Sequence, residues 1–281
     1  MKITKPTARS AGRIFATLLL LGLIALLFSA CGTDTPQNTF ATKGDVAHDQ
    51  RTIFLLAMWP AIGVMIFVEV GIVLILLRFR RRRADEVPKQ VHGNTRLEVI
   101  WTVIPAIALI ILAVPMLSIL FDVGRSPKAD AFTINVTGLQ WQWLFEYPDV
   151  KDANGKPITL AGDPGTAPSG HANAPLVHLP AGREIKVVLK AQDVIHSFAI
   201  PRIAGTRDAI PGHEEVFWIE IDEPGTLHGQ CREFCGFGHA GMTMTVQADN
   251  DTDFQAWVRE KQQPKGTAGT RSGSPAPSAS P

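Results

Sequence analysis

Two long apolar runs separated by an arginine-rich stretch constrain this chain more than any other feature of its sequence. Residues 52–77 carry one charge, Glu69, and residues 99–121 carry none. At 1.5 Å per residue each run exceeds the roughly 30 Å of a bilayer's hydrocarbon core, so 52–78 and 99–121 read as membrane-spanning helices. The loop 79–98 between them holds Arg80, Arg81, Arg82, Arg83, Lys89 and Arg96, with Arg78 just before it. A loop so rich in cations stays in the cytoplasm, which places residues 31–51 and everything beyond Phe121 outside. Glu69 would be costly against lipid if ionised and is expected to face a protein partner. Pro60, Pro105 and Pro115 suggest kinks, tolerated where neighbouring helices satisfy the backbone.

Residues 1–30 have the layout of an export signal. Lys2, Lys5, Arg9 and Arg13 lead, an apolar stretch spans 14–28, and the small Ser29 and Ala30 precede Cys31. That arrangement resembles a bacterial lipoprotein signal, with Cys31 lipidated as the mature N-terminus; the alternative is an uncleaved first membrane helix. Export and loop charge agree on one topology, a bacterial cell-membrane protein with its C-terminal domain outside. With 46% apolar residues the chain is not disordered, and 27 Lys+Arg against 26 Asp+Glu argues against a nucleic-acid binder. The balance is uneven, however: residues 122–262 hold 19 acidic and 12 basic side chains, a net of −7.

After Asp122 the pattern turns to short alternating or β-branched runs punctuated by Gly, Pro, Asn and Asp. Strands are expected over 132–137, 140–147, 158–161, 176–179, 184–191, 195–200, 216–221, 226–230 and 242–248. So many short strands point to an all-β sandwich or barrel. Residues 162–175 read as a long surface loop. Asp251 is expected to cap a short helix over 252–262 that packs through Phe254 and Trp257. The outer domain therefore spans 122–262, and the Gly/Ser/Pro-rich tail 263–281 is expected to be disordered.

The chemistry concentrates in Cys231-Arg232-Glu233-Phe234-Cys235-Gly236-Phe237-Gly238-His239-Ala240-Gly241-Met242, a glycine-rich loop between two expected strands. His196 lies upstream, in Asp193-Val194-Ile195-His196 at a strand end. Two thiolates, two imidazoles and one thioether form a soft donor set that selects copper over Mg, Ca or Mn. A mononuclear blue-copper site needs one cysteine; a second lets two sulfurs bridge two copper ions, each with one histidine, Met242 and a backbone carbonyl adding weak ligands. A closed ligand sphere suits electron transfer. A Cys231–Cys235 disulfide, a Cys2His2 zinc site and plain core packing compete with this reading. His48, His92, His171, His178 and His228 show no ligand spacing.

These residues resemble subunit II of cytochrome c oxidase, the haem–copper respiratory oxidase, over nearly all of 31–262. The stretches carrying the resemblance are 193–201, Asp208-Ala209-Ile210-Pro211-Gly212 and 229–242. The resemblance implies a two-helix transmembrane hairpin bearing a cupredoxin-like Greek-key sandwich with a dinuclear copper A centre. It assigns His196, Cys231, Cys235, His239, Met242 and the backbone oxygen of Glu233 as ligands. It also implies that the Glu233 carboxylate reaches a magnesium or manganese ion shared with subunit I. The aromatic segment Gly138-Leu139-Gln140-Trp141-Gln142-Trp143 resembles the family's electron-entry site, which implicates Trp141. By spacing alone Trp141 and Trp143 share one strand face and cannot be separated. Glu98 matches the family's acid at the mouth of a proton channel, and a headgroup-level charge is the plainer alternative.

The resemblance thus implies the electron-entry subunit of a proton-pumping terminal oxidase. It would take electrons from cytochrome c and pass them to haem in subunit I, with subunit III as a further partner. Glu146, Asp149 and Asp152, soon after Trp141, would dock a basic donor. The alternatives are a nitric or nitrous oxide reductase subunit with the same copper motif, a copper-free quinol-oxidase scaffold, and a metal-storing lipoprotein.

Overall fold

A computed structural model describes residues 35–80, 93–162 and 174–263, together with 18, 19, 21–23 and 25. The export-signal cleavage site, Cys31, most of the basic loop, the expected surface loop over 163–173 and the tail from 264 lie outside the described residues.

Helices α1 (Asp45–Arg78) and α2 (Thr95–Val123) are the two spans. Both run unbroken through their prolines. Their apolar side chains point outward, Phe67 at 79% and Leu77 at 69% exposure, as a bilayer solvent requires. Glu69 is exposed on α1 as well. Both helices begin earlier than hydropathy predicts, for local reasons. The Asn94 side chain accepts from the backbone N–H groups of Arg96 and Leu97, which starts α2 at Thr95. The first turn of α1 rests on the outer domain, where Val46 and Ala47 are buried and the Ala47 N–H donates to the Ile203 carbonyl at 2.9 Å.

The outer domain is a sandwich of two five-stranded sheets. One has the order β3 (Pro157–Ala161), β2 (Gln142–Lys151), β1 (Phe132–Leu139), β5 (Glu184–Ala191), β8 (Glu215–Glu220). The other runs β4 (Leu176–Pro180), β10 (Thr243–Asp249), β9 (Gly225–Cys231), β6 (His196–Ile200), β7 (Gly205–Ala209). Strand β1 alternates strictly, burying Phe132, Ile134 and Val136 while the intervening residues stay half-exposed. It pairs with β2 antiparallel and with β5 in parallel, so long connections cross between the sheets. Strand β7 was not expected: its exposed Thr206 and Asp208 hide the alternation, as suits an edge strand.

Helix α3 (Asp251–Gln262) closes the end of the sandwich with Phe254 and Trp257 buried. Its cap is Asn250, whose side chain accepts from the Asp253 N–H, and not Asp251, which is the first helical residue. Trp257 stacks on His178, and His178 Nδ1 lies 2.6 Å from Asp249 Oδ2. The buried Tyr147 hydroxyl donates to the His178 carbonyl at 3.0 Å and accepts the His178 N–H at 3.1 Å. Burial pushes the Tyr147 pKa far up, so this hydroxyl stays protonated.

Candidate metal centre

The site is built at one end of the second sheet. Strands β9 and β10 form a hairpin in which Gln230 pairs with Thr243, and the Cys231 N–H donates to the Met242 carbonyl at 2.9 Å. The loop closing this hairpin holds every donor between Cys231 and Met242, so chain geometry alone returns them to one place. Strand β6 pairs with β9, placing Phe198 opposite Cys231 and starting at His196. The His196 ring packs against β1 at Gly138, where a Cβ would come within 2.9 Å of it.

His196, Cys231 and Cys235 offer ligand atoms within 4.8 Å of one another, and all three are buried. The Cys231 sulfur lies 4.0 Å from His196 Nδ1, and the Cys235 sulfur lies 3.7 Å from His239 Nδ1. Each thiol thus has its own imidazole. Met242 Sδ is 3.8 Å from the Cys235 sulfur, and the Glu233 carbonyl oxygen is 3.3 Å from the Cys231 sulfur. The Glu233 side chain is exposed. A 3₁₀ turn, His239–Gly241, carries the second histidine, and Phe234 meets its ring edge-on at 5.7 Å.

The two thiols are free and 3.9 Å apart, whereas a disulfide bond is about 2.05 Å long. That separation is shorter than two metal–thiolate bonds of about 2.3 Å, so one ion can touch both sulfurs. A thioether and a carbonyl beside two thiols and two imidazoles exceed the four ligands of a structural zinc site. Their softness suits copper, and the residues present fit it. Charge distribution supports metal loading. Burial alone would raise the Cys231 pKa, but His196 beside it brings it down to about 7. Burial and the neighbouring Cys231 charge push Cys235 up to about 12.

Asp193, given no role by the sequence pattern, orients His196. Its Oδ1 lies 2.9 Å from His196 Nε2, leaving Nδ1 toward the sulfurs. Its Oδ2 accepts the Gln140 N–H at 2.7 Å. A carboxylate behind a ligating histidine is the usual second support of a metal site, so the signal was an acid three residues before the histidine. Burial opposes ionisation of Asp193, but its hydrogen bonds from His196, Gln140 and Val194 outweigh it and lower its pKa.

The two tryptophans separate. Register pairs Leu139 with Gln142, so Gln140 and Trp141 form a two-residue turn and β2 starts after them. Trp143 is fully buried against His196 and Phe198. Trp141 is half-buried beneath the metal loop, and its indole N–H donates to the Cys235 carbonyl at 3.0 Å. Gln140 Nε2 donates to the same oxygen at 2.7 Å. Gly236 and Gly238 permit this approach: a Cβ would fall 3.1 Å and 2.6 Å from the indole, and Gly236 also has φ +118°.

Of the expected docking acids, Glu146 and Asp149 lie on β2 and Asp152 just past its end. Glu146 accepts from Asn135 Nδ2 at 2.8 Å, and Asp152 accepts the Asn154 and Lys156 N–H groups in a turn at the far end. The metal loop exposes Phe237 at 97% and Phe234 at 77%, beside the exposed Arg232 and Glu233. Glu98 lies far off, in the first turn of α2, where its Oε1 accepts the Asn94 N–H at 3.3 Å.

Comparisons with known proteins fit this arrangement. A family model described as cytochrome C oxidase subunit II, periplasmic domain, matches residues 132–249, and one for the transmembrane domain matches 39–119. Cytochrome c oxidase subunit 2 of Alkalihalophilus pseudofirmus is 34% identical over 267 residues, covering 92% of this chain and 69% of that one. Its counterpart in Bacillus subtilis is 33% identical over 268 residues, covering 89% and 69%. Among solved structures, the periplasmic domain of subunit II of cytochrome oxidase of Bradyrhizobium japonicum is 34% identical. That match covers 49% of this chain and 96% of that one, with a TM-score of 0.41.

Proposed function

The chain belongs to the cytochrome c oxidase subunit II family, the electron-entry subunit of that oxidase, and we propose that its outer domain holds two copper ions. The ligands in this reading are His196, Cys231, Cys235, His239, Met242 and the carbonyl oxygen of Glu233. One observation carries it: two buried thiols 3.9 Å apart, each with an imidazole nitrogen within 4.0 Å. Copper bound there would supply a one-electron redox couple.

The surrounding residues hold that site still and connect it to the surface. Asp193 fixes the His196 ring. Gly138 lets β1 pack against the same ring and so limits its motion. Loop closure through the Cys231–Met242 backbone bond keeps both ends of the donor set together. Trp141 is the proposed entry point, since its indole bonds directly to the ligand loop while part of the ring remains accessible. The donor is proposed to be cytochrome c, meeting the exposed Phe234 and Phe237 of the metal loop, with Glu146, Asp149 and Asp152 as the proposed docking acids. The exposed Glu233 carboxylate is available for a magnesium or manganese ion at the boundary with subunit I. Subunit I, and subunit III beside it, are the proposed cover for the exposed helical hairpin, and Glu98 is the proposed proton-channel acid. Cys31 is the proposed lipidation site.

Metal analysis with electron paramagnetic resonance on the purified full-length chain tests the centre. Two coppers per chain and one unpaired electron shared between them are expected. One copper per chain, or zinc alone after copper reconstitution, would overturn the reading.

A further inference from the structure

Residues 35–44 lead into α1 as a strap laid on the outer domain. Its base is fixed at several points. The Lys43 N–H donates to the Arg202 carbonyl at 2.6 Å, Arg202 Nε donates to the Ala41 carbonyl at 2.7 Å, and the Asp222 N–H donates to the Lys43 carbonyl at 3.0 Å. His48 bridges the Thr42 hydroxyl and the Asp222 carboxylate, each at 2.8 Å, and Lys43 pairs with Glu223. Gly44 runs so close to the Glu220 carbonyl that no side chain fits there.

From this fixed base Gln37 reaches the metal loop. Its Nε2 donates to Gln230 Oε1 at 2.9 Å, and its Oε1 accepts from Arg232 Nη2 at 3.0 Å. Gln230 and Arg232 are the two neighbours of Cys231. One side chain nearly two hundred positions away therefore ties together both flanks of a proposed copper ligand. The place matters because β9 ends at Cys231. Gln230 is still in the ladder opposite Thr243, whereas beyond Arg232 the loop leaves the sheet and Glu233 and Phe234 are exposed. The Arg232 N–H donates to the Ser197 carbonyl, and the Ser197 N–H approaches the Cys231 sulfur at 3.5 Å. A shift of Arg232 therefore shifts the sulfur's own surroundings.

We propose that Gln37 is a positioning residue for the metal centre: by bridging Gln230 and Arg232 it holds Cys231 in the one placement that meets both His196 and Cys235. The proposal rests on the copper reading above. It makes the strap before the first span part of the redox site, although no strap residue is a ligand.

The test uses the purified oxidase carrying Gln37→Ala, Gln37→Glu or Lys43→Ala. In Gln37→Glu the carboxylate still accepts from Arg232, and the Gln230 amide can turn to donate to it, so both arms survive. Lys43→Ala removes the Glu223 contact but keeps the backbone bonds that seat the strap. Gln37→Ala is expected to displace the copper midpoint potential, alter the hyperfine pattern in paramagnetic resonance, and speed copper loss to a chelator several-fold. Gln37→Glu should restore the wild-type hyperfine pattern and copper-loss rate, and Lys43→Ala should leave the potential in place. Wild-type potential, hyperfine pattern and loss rate in Gln37→Ala would overturn the proposal, as would equal shifts in Gln37→Ala and Lys43→Ala. Should Gln37→Ala fail to assemble, Arg232→Met removes one arm while keeping the stem, and an unmoved potential there also overturns it. Copper absent from the wild type would instead overturn the copper reading, and the proposal with it.

Discussion

Asp193→Asn is the sharpest single perturbation of the centre, because the carboxylate serves two structures at once. Oδ1 lies 2.9 Å from His196 Nε2 and accepts the Val194 N–H at 2.7 Å, while Oδ2 accepts the Gln140 N–H at 2.7 Å. Asparagine has one acceptor oxygen and one amide that only donates. With its oxygen toward His196, the amide opposes the Gln140 N–H; turned over, it opposes the imidazole. One contact or the other must fail. Loss of a carboxylate behind a ligating histidine typically lowers metal affinity about 10–100-fold, or about 1.4–2.7 kcal/mol. The Asp193 side chain is 32% exposed, so water offsets part of the loss and the lower half of that range is expected.

Copper affinity is read by equilibrium competition against a chelator, and imidazole orientation by the nitrogen hyperfine coupling. If the amide instead settles with its oxygen toward Gln140, the His196 contact is the one lost and both readouts move. If it keeps His196, the Gln140–Trp141 turn loosens, and the rate of copper reduction by the donor falls with affinity nearly intact. A variant with unchanged affinity, unchanged coupling and unchanged reduction rate would refute the assignment of Asp193 to either task.

Cys231→Ser should abolish the shared-electron resonance, since one of two sulfurs is gone; a surviving signal would refute bridging. Met242→Leu should retain copper with a changed potential, because only a weak ligand is lost, and an unaltered potential would mean that Met242 is not coordinated. Trp141→Ala should slow copper reduction in stopped flow yet leave the spectrum intact, because Gln140 still donates to the Cys235 carbonyl at 2.7 Å; unchanged reduction would reject the conduit. At the base of the domain, burial opposes ionisation of Glu184, but hydrogen bonds from Arg125 at 2.7 Å and from Lys128 lower its pKa. Its stabilisation is therefore full above the unfolded value near about 4.3 and is lost as pH falls through the lower folded value. Glu184→Gln should cost about 1–3 kcal/mol at neutral pH by thermal melting, with the gap closing in acid; a gap that persists below that window would refute the linkage.

What the sequence could reveal depended on how far apart the interacting residues lie. Four of the side-chain donors sit within one hairpin loop, and the distance between them is set by β9 pairing with β10, so Cys231, Cys235, His239 and Met242 were legible together. His196 was legible because its strand ends beside that loop. The spans were legible because a bilayer tests only length and polarity. The turn at Gln140-Trp141 was not, since it lacks the Gly, Asn or Asp that usually marks a two-residue hairpin. Missing that turn merged Trp141 with Trp143 on one strand face. Nearness in sequence is a poor guide along a strand, where each residue adds more than 3 Å. The converse error hid the strap: Gln37 is an unremarkable polar residue before a membrane helix, and nothing local pairs it with Gln230 or Arg232. Its contact exists only because α1 starts against the β6–β7 turn, which fixes where the preceding residues must lie. The proposed ligands are thus written in local spacing, whereas the residues proposed to hold them, Asp193 and Gln37, emerge only once the sheets have brought distant segments together.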